Sequence, residues 1–235
     1  MATLIKGIKS IYEGIVSLIY PNSCPFEITH ECSMKDYCSP EGWNDKVCHF
    51  CFNEFVDLNL TPRIEENGVL IHSVAEYKNE VKTIIQKFKW SIPALALPIA
   101  ELMKYKINNS SLKDQKFDYI VPVPGLISED RNWTPSLLLA QELSELLNIK
   151  INEPLEKITE TNAHRLDKVG RTEATKKAYT LKEDISQFQK QEQRILLIDD
   201  LIASGNTIDV CSDLLLSLNP NNIITAITFA VVSPS

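Results

Sequence analysis

The residues with the clearest chemical content form one run late in the chain, Ile195-Leu196-Leu197-Ile198-Asp199-Asp200-Leu201-Ile202-Ala203-Ser204-Gly205-Asn206-Thr207. Four aliphatics precede two adjacent carboxylates, and small and hydroxylated residues follow them. Carboxylates accept hydrogen bonds from hydroxyl groups. A Ser-Gly-Asn-Thr segment that opens a helix has the opposite preference. Its free backbone N–H groups and the positive end of the helix dipole attract an anion, and a glycine lets the main chain come close. Ser204 and Thr207 add hydroxyl donors. A ribose 5-phosphate satisfies both halves, with its vicinal hydroxyls on Asp199 and Asp200 and its phosphate against Ala203, Ser204, Gly205, Asn206 and Thr207.

A second cluster is made of sulfur. Five of the six cysteines lie between residues 24 and 51, namely Cys24, Cys32, Cys38, Cys48 and Cys51. Cys48-x2-Cys51 is a knuckle that gives two thiolates to one tetrahedral zinc ion. Four ligands are needed, and Cys24, Cys48, Cys51 and either Cys32 or Cys38 supply them, with His30 and His49 nearby. Clustered thiols in a chain expected in the cytoplasm indicate metal rather than disulfides. A closed sulfur site of this kind stabilises its module and does no chemistry. Cys211 is different, since it shares a helix face with Ile208 and Leu215 and reads as a core thiol.

Several cations stand where an anionic ligand could use them. Lys87 and Lys89 end a helical pattern, although a solvated basic face is the commoner meaning of such residues. Arg131 follows the Val121-Pro122-Val123-Pro124 run, with Trp133 close by, and is placed to meet pyrophosphate. Arg171 closes a polar stretch, 164–171, that reads as a mobile flap. No Walker lysine motif, HExxH helix or Ser/His/Asp context is present.

The elements that must position these residues are legible as alternating patterns. Strands are expected over 68–75, 117–123, 194–199 and 223–232, and helices over 77–90, 136–147 and 207–218, with a polar connection at 182–193. Strands separated by helices imply βαβ units, and so an α/β fold with a mostly parallel sheet flanked by helices. The four aliphatics before Asp199 mark a strand covered on both faces, and open α/β sheets place ligands at the carboxyl ends of such strands. Upstream, Leu4, Ile8, Ile11, Ile15 and Leu18 trace an amphipathic helix over 1–20, which docks on its own protein or on a protein partner. Residues 21–52 are too poor in aliphatics to build a core, so a zinc-binding module is expected over 21–66 and the α/β domain over 67–235.

Composition sets the outer limits. The chain has 235 residues, 44% hydrophobic and 23% charged, with 24 Lys+Arg against 31 Asp+Glu and a net charge of −7. That balance excludes a globally cationic protein that grips duplex DNA by bulk electrostatics. The most apolar stretch, 84–103, is broken by Lys87, Lys89, Pro93 and Pro98, whereas a membrane span needs about 20 mainly apolar residues. The first twenty residues carry Lys6, Lys9 and Glu13 in their apolar pattern and no small-residue cleavage site, so no membrane association or export is expected.

The run 195–207 resembles the 5-phosphoribosyl 1-pyrophosphate (PRPP) signature of type I phosphoribosyltransferases. The resemblance implies that Asp199 and Asp200 hold the ribose 2- and 3-hydroxyls and that the loop holds the 5-phosphate, with Mg²⁺ accompanying PRPP. The order of other features resembles the ComF-type branch, competence-associated phosphoribosyltransferase-like proteins with an N-terminal zinc module. Those features are Tyr20-Pro21-Asn22-Ser23-Cys24, Cys48-His49-Phe50-Cys51, a helix from Tyr77 to Lys87-Phe88-Lys89, the Val-Pro-Val-Pro strand, and Arg171 followed by Ala178-Tyr179. The chain departs from that branch at Glu27, where a second knuckle cysteine is usual. It departs again at Arg131-Asn132-Trp133-Thr134-Pro135-Ser136 and at Ala174, which replaces an asparagine.

The resemblance implies glycosyl transfer or release of phosphoribose. Asp199, Asp200 and Arg131 would act at the reacting centre, with Lys87 and Arg171 binding substrate. It also implies two rivals. One is a non-catalytic PRPP sensor or accessory protein that handles single-stranded DNA; the other is an effector that phosphoribosylates a nucleic acid or a protein.

Overall fold

The structure is a computed structural model that describes residues 55–57, 59–65, 67–127, 131–159, 168–183, 185 and 191–232. The amphipathic stretch 1–20 and the five clustered cysteines lie outside them. The described residues belong to a compact unit that starts at Phe55. Phe55 is fully buried, and the Lys106 ammonium donates to the carbonyls of Asp57 (2.7 Å) and Leu60 (3.2 Å). Residues that composition grouped with the cysteine module therefore pack in this unit.

In chain order the elements are β1 (Arg63–Ile64), β2 (Leu70–Glu76), α1 (Asn79–Trp90), α2 (Ala96–Asn108), β3 (Tyr119–Pro122), α3 (Pro135–Leu147) and β4 (Lys150–Ile151). Then come β5 (Leu155–Lys157), α4 (Lys168–Ala178), β6 (Tyr179–Leu181), β7 (Arg194–Ile202), α5 (Asn206–Leu218) and β8 (Ile223–Val231). Six strands form one sheet in the order β1-β2-β8-β7-β3-β4, and β5 and β6 form a separate antiparallel pair. All pairings in the main sheet are parallel except β1 with β2. The mostly parallel sheet flanked by helices that the sequence pattern implied is present.

The connections determine where a ligand can sit. From β7 the chain passes through α5 to β8 on one side, and from β3 it passes through α3 to β4 on the other. Crossovers between parallel strands are right-handed, so α5 and α3 must cover opposite faces. Ile195 and Leu197 accordingly pack with Cys211 and Leu215 of α5, while α3 and α2 cover the other face. The carboxyl ends of β7 and β3 thus flank a topological switch point, where the two connections diverge and leave a crevice.

Several expectations are corrected by pairing that local pattern does not reveal. β7 does not stop at Asp199, because β8 stays in register with it through Asp199↔Thr228, Leu201↔Ala230 and Ile202↔Val231. α2, hidden by its prolines, carries Pro98 in its first turn, where no intrahelical N–H is required. It is buried almost all round and so lacks the polar stripe of a surface helix. Part of the expected flap is helix, since α4 begins at Lys168. Among the described residues no helix is long and apolar enough to cross a membrane.

Candidate functional site

The acidic pair and its loop occupy the carboxyl end of β7. Successive side chains of a strand point to opposite faces, so the two carboxylates part company. Asp200 is buried on the α1 side, with its Oδ2 3.1 Å from Lys89 Nζ. Burial alone would lower the Lys89 ammonium, but the charges of Asp200 and Asp199 outweigh it and raise its pKa. Asp199 shares the α5 side with Tyr179 and Cys211, whose acidic groups burial pushes up, helped in each case by the Asp199 charge. The Tyr179 phenol sits within hydrogen-bonding contact of the Thr207 side chain.

Asp199 feels the least favourable surroundings of the group. Burial and then the neighbouring Asp200 charge push its carboxyl up to about 8, against Lys89 and a hydrogen bond from the Asp200 N–H. That bond reaches Oδ1 at 2.9 Å. A carboxyl poised there can donate as well as accept near neutral pH.

Beyond β7, residues 203–205 turn into α5. Gly205 has φ +89° and precedes the helix, and no side chain caps the first turn. The helix therefore leaves donor N–H groups for a ligand. Asp199, Ser204, Gly205 and Thr207 line a cavity of about 120 Å³ at this point, with Leu201, Ile202, Ala203 and Ile208. Asn206 Nδ2 donates to Thr172 Oγ1 at 3.2 Å and ties the helix start to α4.

The glycine has a second reason beyond the one read from the sequence. A Cβ on Gly205 would fall 2.7 Å from Glu65 Oε1 and 2.8 Å from an Arg63 nitrogen. The close approach at that face is therefore made by the chain's own Arg63 and Glu65, in and just after β1. Arg63 and Glu65 carry no motif of their own, and the signal for their contact is Asn67-Gly68. An Asn-Gly pair marks a tight reversal, which here folds β1 back on β2 with Gly68 at φ +83°.

The remaining candidates divide. It is Lys89 that pairs with Asp200, whereas Lys87 is half-buried on α1 two residues earlier. The Arg131 guanidinium lies 5.3 Å from the ring centre of Trp90 and 5.5 Å from that of Trp133. It donates to the Lys89 carbonyl at 3.0 Å, so it closes the end of α1. Arg171 falls within α4. Trp133 packs on Phe88, with ring centres 6.0 Å apart.

No family model matches the chain, and no curated protein matches it. It is similar to the solved structure of adenine phosphoribosyltransferase from Saccharomyces cerevisiae, at 14% identity and a TM-score of 0.41 over 74% of this chain and 86% of that one. It is also similar to adenine phosphoribosyltransferase from Thermoanaerobacter pseudethanolicus, at 17% identity and a TM-score of 0.36 over 57% of this chain and 78% of that one. A third is the xanthine-guanine-hypoxanthine phosphoribosyltransferase of Helicobacter pylori, at 12% identity and a TM-score of 0.37 over 59% and 83% of the two chains.

Proposed function

We propose that the unit beginning at Phe55 is a type I phosphoribosyltransferase-like domain of the ComF-type branch that binds PRPP or ribose 5-phosphate. The observation that carries this reading is the cavity in which Asp199 meets the uncapped start of α5 at the switch point of the sheet. In this reading the loop amides, Ser204 and Thr207 hold the 5-phosphate, and the carboxylates at the end of β7 accept the ribose hydroxyls. Lys89 holds Asp200 in place and contributes positive charge beside it.

Transfer would break the bond from ribose C1 to the pyrophosphate oxygen through an oxocarbenium-like centre, with cationic side chains neutralising the leaving group. Mg²⁺, when bound with PRPP, supplies further neutralisation. Among the described residues no group of three or more His, Cys, Asp or Glu side chains converges on one point. Mg²⁺ bound with PRPP would be held largely by pyrophosphate oxygens and water, so it would need no dedicated protein cage.

Calorimetric titration of the full chain with PRPP and Mg²⁺ tests the reading, and saturable binding is expected. Absence of heat with both PRPP and ribose 5-phosphate would overturn it. Pyrophosphate release separates an enzyme from a sensor. The second reading is a non-catalytic PRPP sensor or accessory protein that handles single-stranded DNA, and it is favoured by Arg131, whose guanidinium closes α1 between two tryptophans. Salt-dependent binding of a single-stranded oligonucleotide would support that role.

We also propose one structural zinc per chain on Cys24, Cys48, Cys51 and either Cys32 or Cys38, measurable by metal analysis. Cys48→Ser and Cys51→Ser should each abolish it.

A further inference from the structure

The loop at the proposed phosphate seat is gripped from behind by residues that take no part in the cavity wall. Arg63 donates through one terminal nitrogen to the Ser204 carbonyl at 2.7 Å, and through the other to the Ala203 carbonyl at 3.4 Å. Glu65, itself buried, holds that guanidinium, with Oε1 2.6 Å from Nε and Oε2 3.2 Å from the terminal nitrogen that meets Ser204. The described residues contain no cis peptide, and in a trans peptide the C=O and N–H point in opposite directions. Turning the Ala203 and Ser204 carbonyls toward Arg63 therefore turns the N–H groups of Ser204 and Gly205 away from it. The cavity is lined by Ala203, Ser204 and Gly205 but by neither Arg63 nor Glu65.

We infer that Arg63, braced by Glu65, is a positioning residue that aims the Ser204 and Gly205 amides at a phosphate it does not touch. The inference rests on the reading of this loop as a phosphate seat. Each member of the pair has a distinct task. The planar fork of an arginine can serve two neighbouring carbonyls and a carboxylate together, which the point charge of a lysine cannot. Glu65 neutralises the cation, so that an anion is not drawn to the wrong side of the loop.

The test uses the full chain with two probes, inorganic phosphate and ribose 5-phosphate, read by calorimetry and by amide NMR spectra. Arg63→Ala should weaken both probes by about tenfold and by the same factor, since they share only the phosphate group. Arg63→Lys should recover little of that loss. In the unsubstituted protein, phosphate should move the Ser204 and Gly205 amide resonances further than those of the rest of the loop, and this arm holds even if Arg63→Ala does not fold. The inference is overturned if Arg63→Lys binds like the unsubstituted protein, if Arg63→Ala loses nothing, or if those two amides stay still while phosphate binds. A protein that binds neither probe before any substitution points instead to failure of the seat itself.

Discussion

The two ends of the central sheet carry cavities of opposite character. At the amino ends of β3, β4 and β7, residues including Asp118, Tyr119, Asn148, Lys150 and Glu192 surround an open depression of about 680 Å³. At the carboxyl end the space beside Asp199 and the loop is only about 120 Å³. Volume favours the first and chemistry the second. At the amino end the fold uses its own polar groups, since Asp118 accepts from the Arg194 N–H at 2.8 Å and Asn222 from the Gln193 N–H at 2.9 Å. At the carboxyl end the α5 donors have no side-chain cap, and a carboxyl is held in unfavourable surroundings. Binding capacity resides in donors and charges that the fold leaves available, more than in empty space.

The strongest way to break this contrast is Gly205→Val. The residue must hold φ +89° and has Glu65 and Arg63 against its bare face. Left-handed backbone and the clash together should lower stability by about 2 kcal/mol or more, and phosphate affinity should fall with it. Unchanged melting and unchanged calorimetric affinity would remove the site from this end of the sheet.

The double substitution Asp199→Asn/Asp200→Asn separates a sugar site from a simple anion site. Each charged hydrogen bond lost to a ribose hydroxyl is worth roughly 1.5–3 kcal/mol, so PRPP and ribose 5-phosphate should bind more weakly. Sulfate should bind at least as well, because the negative charge shared by the acidic pair has left and Lys89 is freed. If sugar phosphate instead tightens together with sulfate, the carboxylates are not ribose ligands.

Another effect concerns pH. Folded Asp199 holds its proton more tightly than an ordinary carboxyl of 3.8, with its pKa pushed up to about 8. The stability linked to that proton is complete below about pH 4 and fades as the pH rises towards about 8. Asp199→Asn should flatten this fall, whose steepest slope for one group is about 1.4 kcal/mol per pH unit. Denaturant melts at several pH values measure it, and parallel curves for the two proteins would contradict the assignment.

The smallest effect belongs to the other end. Lys150→Ala and Glu192→Ala alter two residues of the large depression and should change stability by less than about 0.5 kcal/mol each. Neither should alter PRPP affinity. A several-fold loss from either would move the ligand to the amino ends.

Elements whose signal is local were legible in the residue pattern. Ile195-Leu196-Leu197-Ile198 reads as a strand covered on both faces, and the loop after it carries its own backbone chemistry in Gly205 and the start of α5. The order of strand, helix and strand was likewise enough to imply a mostly parallel sheet. Features that depend on distant partners were set by long-range packing. Pairing with β8 carried β7 through the acidic pair, and the pleat of that strand sent Asp200 to Lys89 and Asp199 towards Tyr179 and Cys211. The two aromatic rings beside Arg131 drew it to the end of α1, and the hairpin at Asn67-Gly68 brought Arg63 behind a loop 140 residues further along the chain. Spacing in a sequence reports which residues share a face of one element, whereas charge pairing and burial depend on which faces the chain's closure brings together.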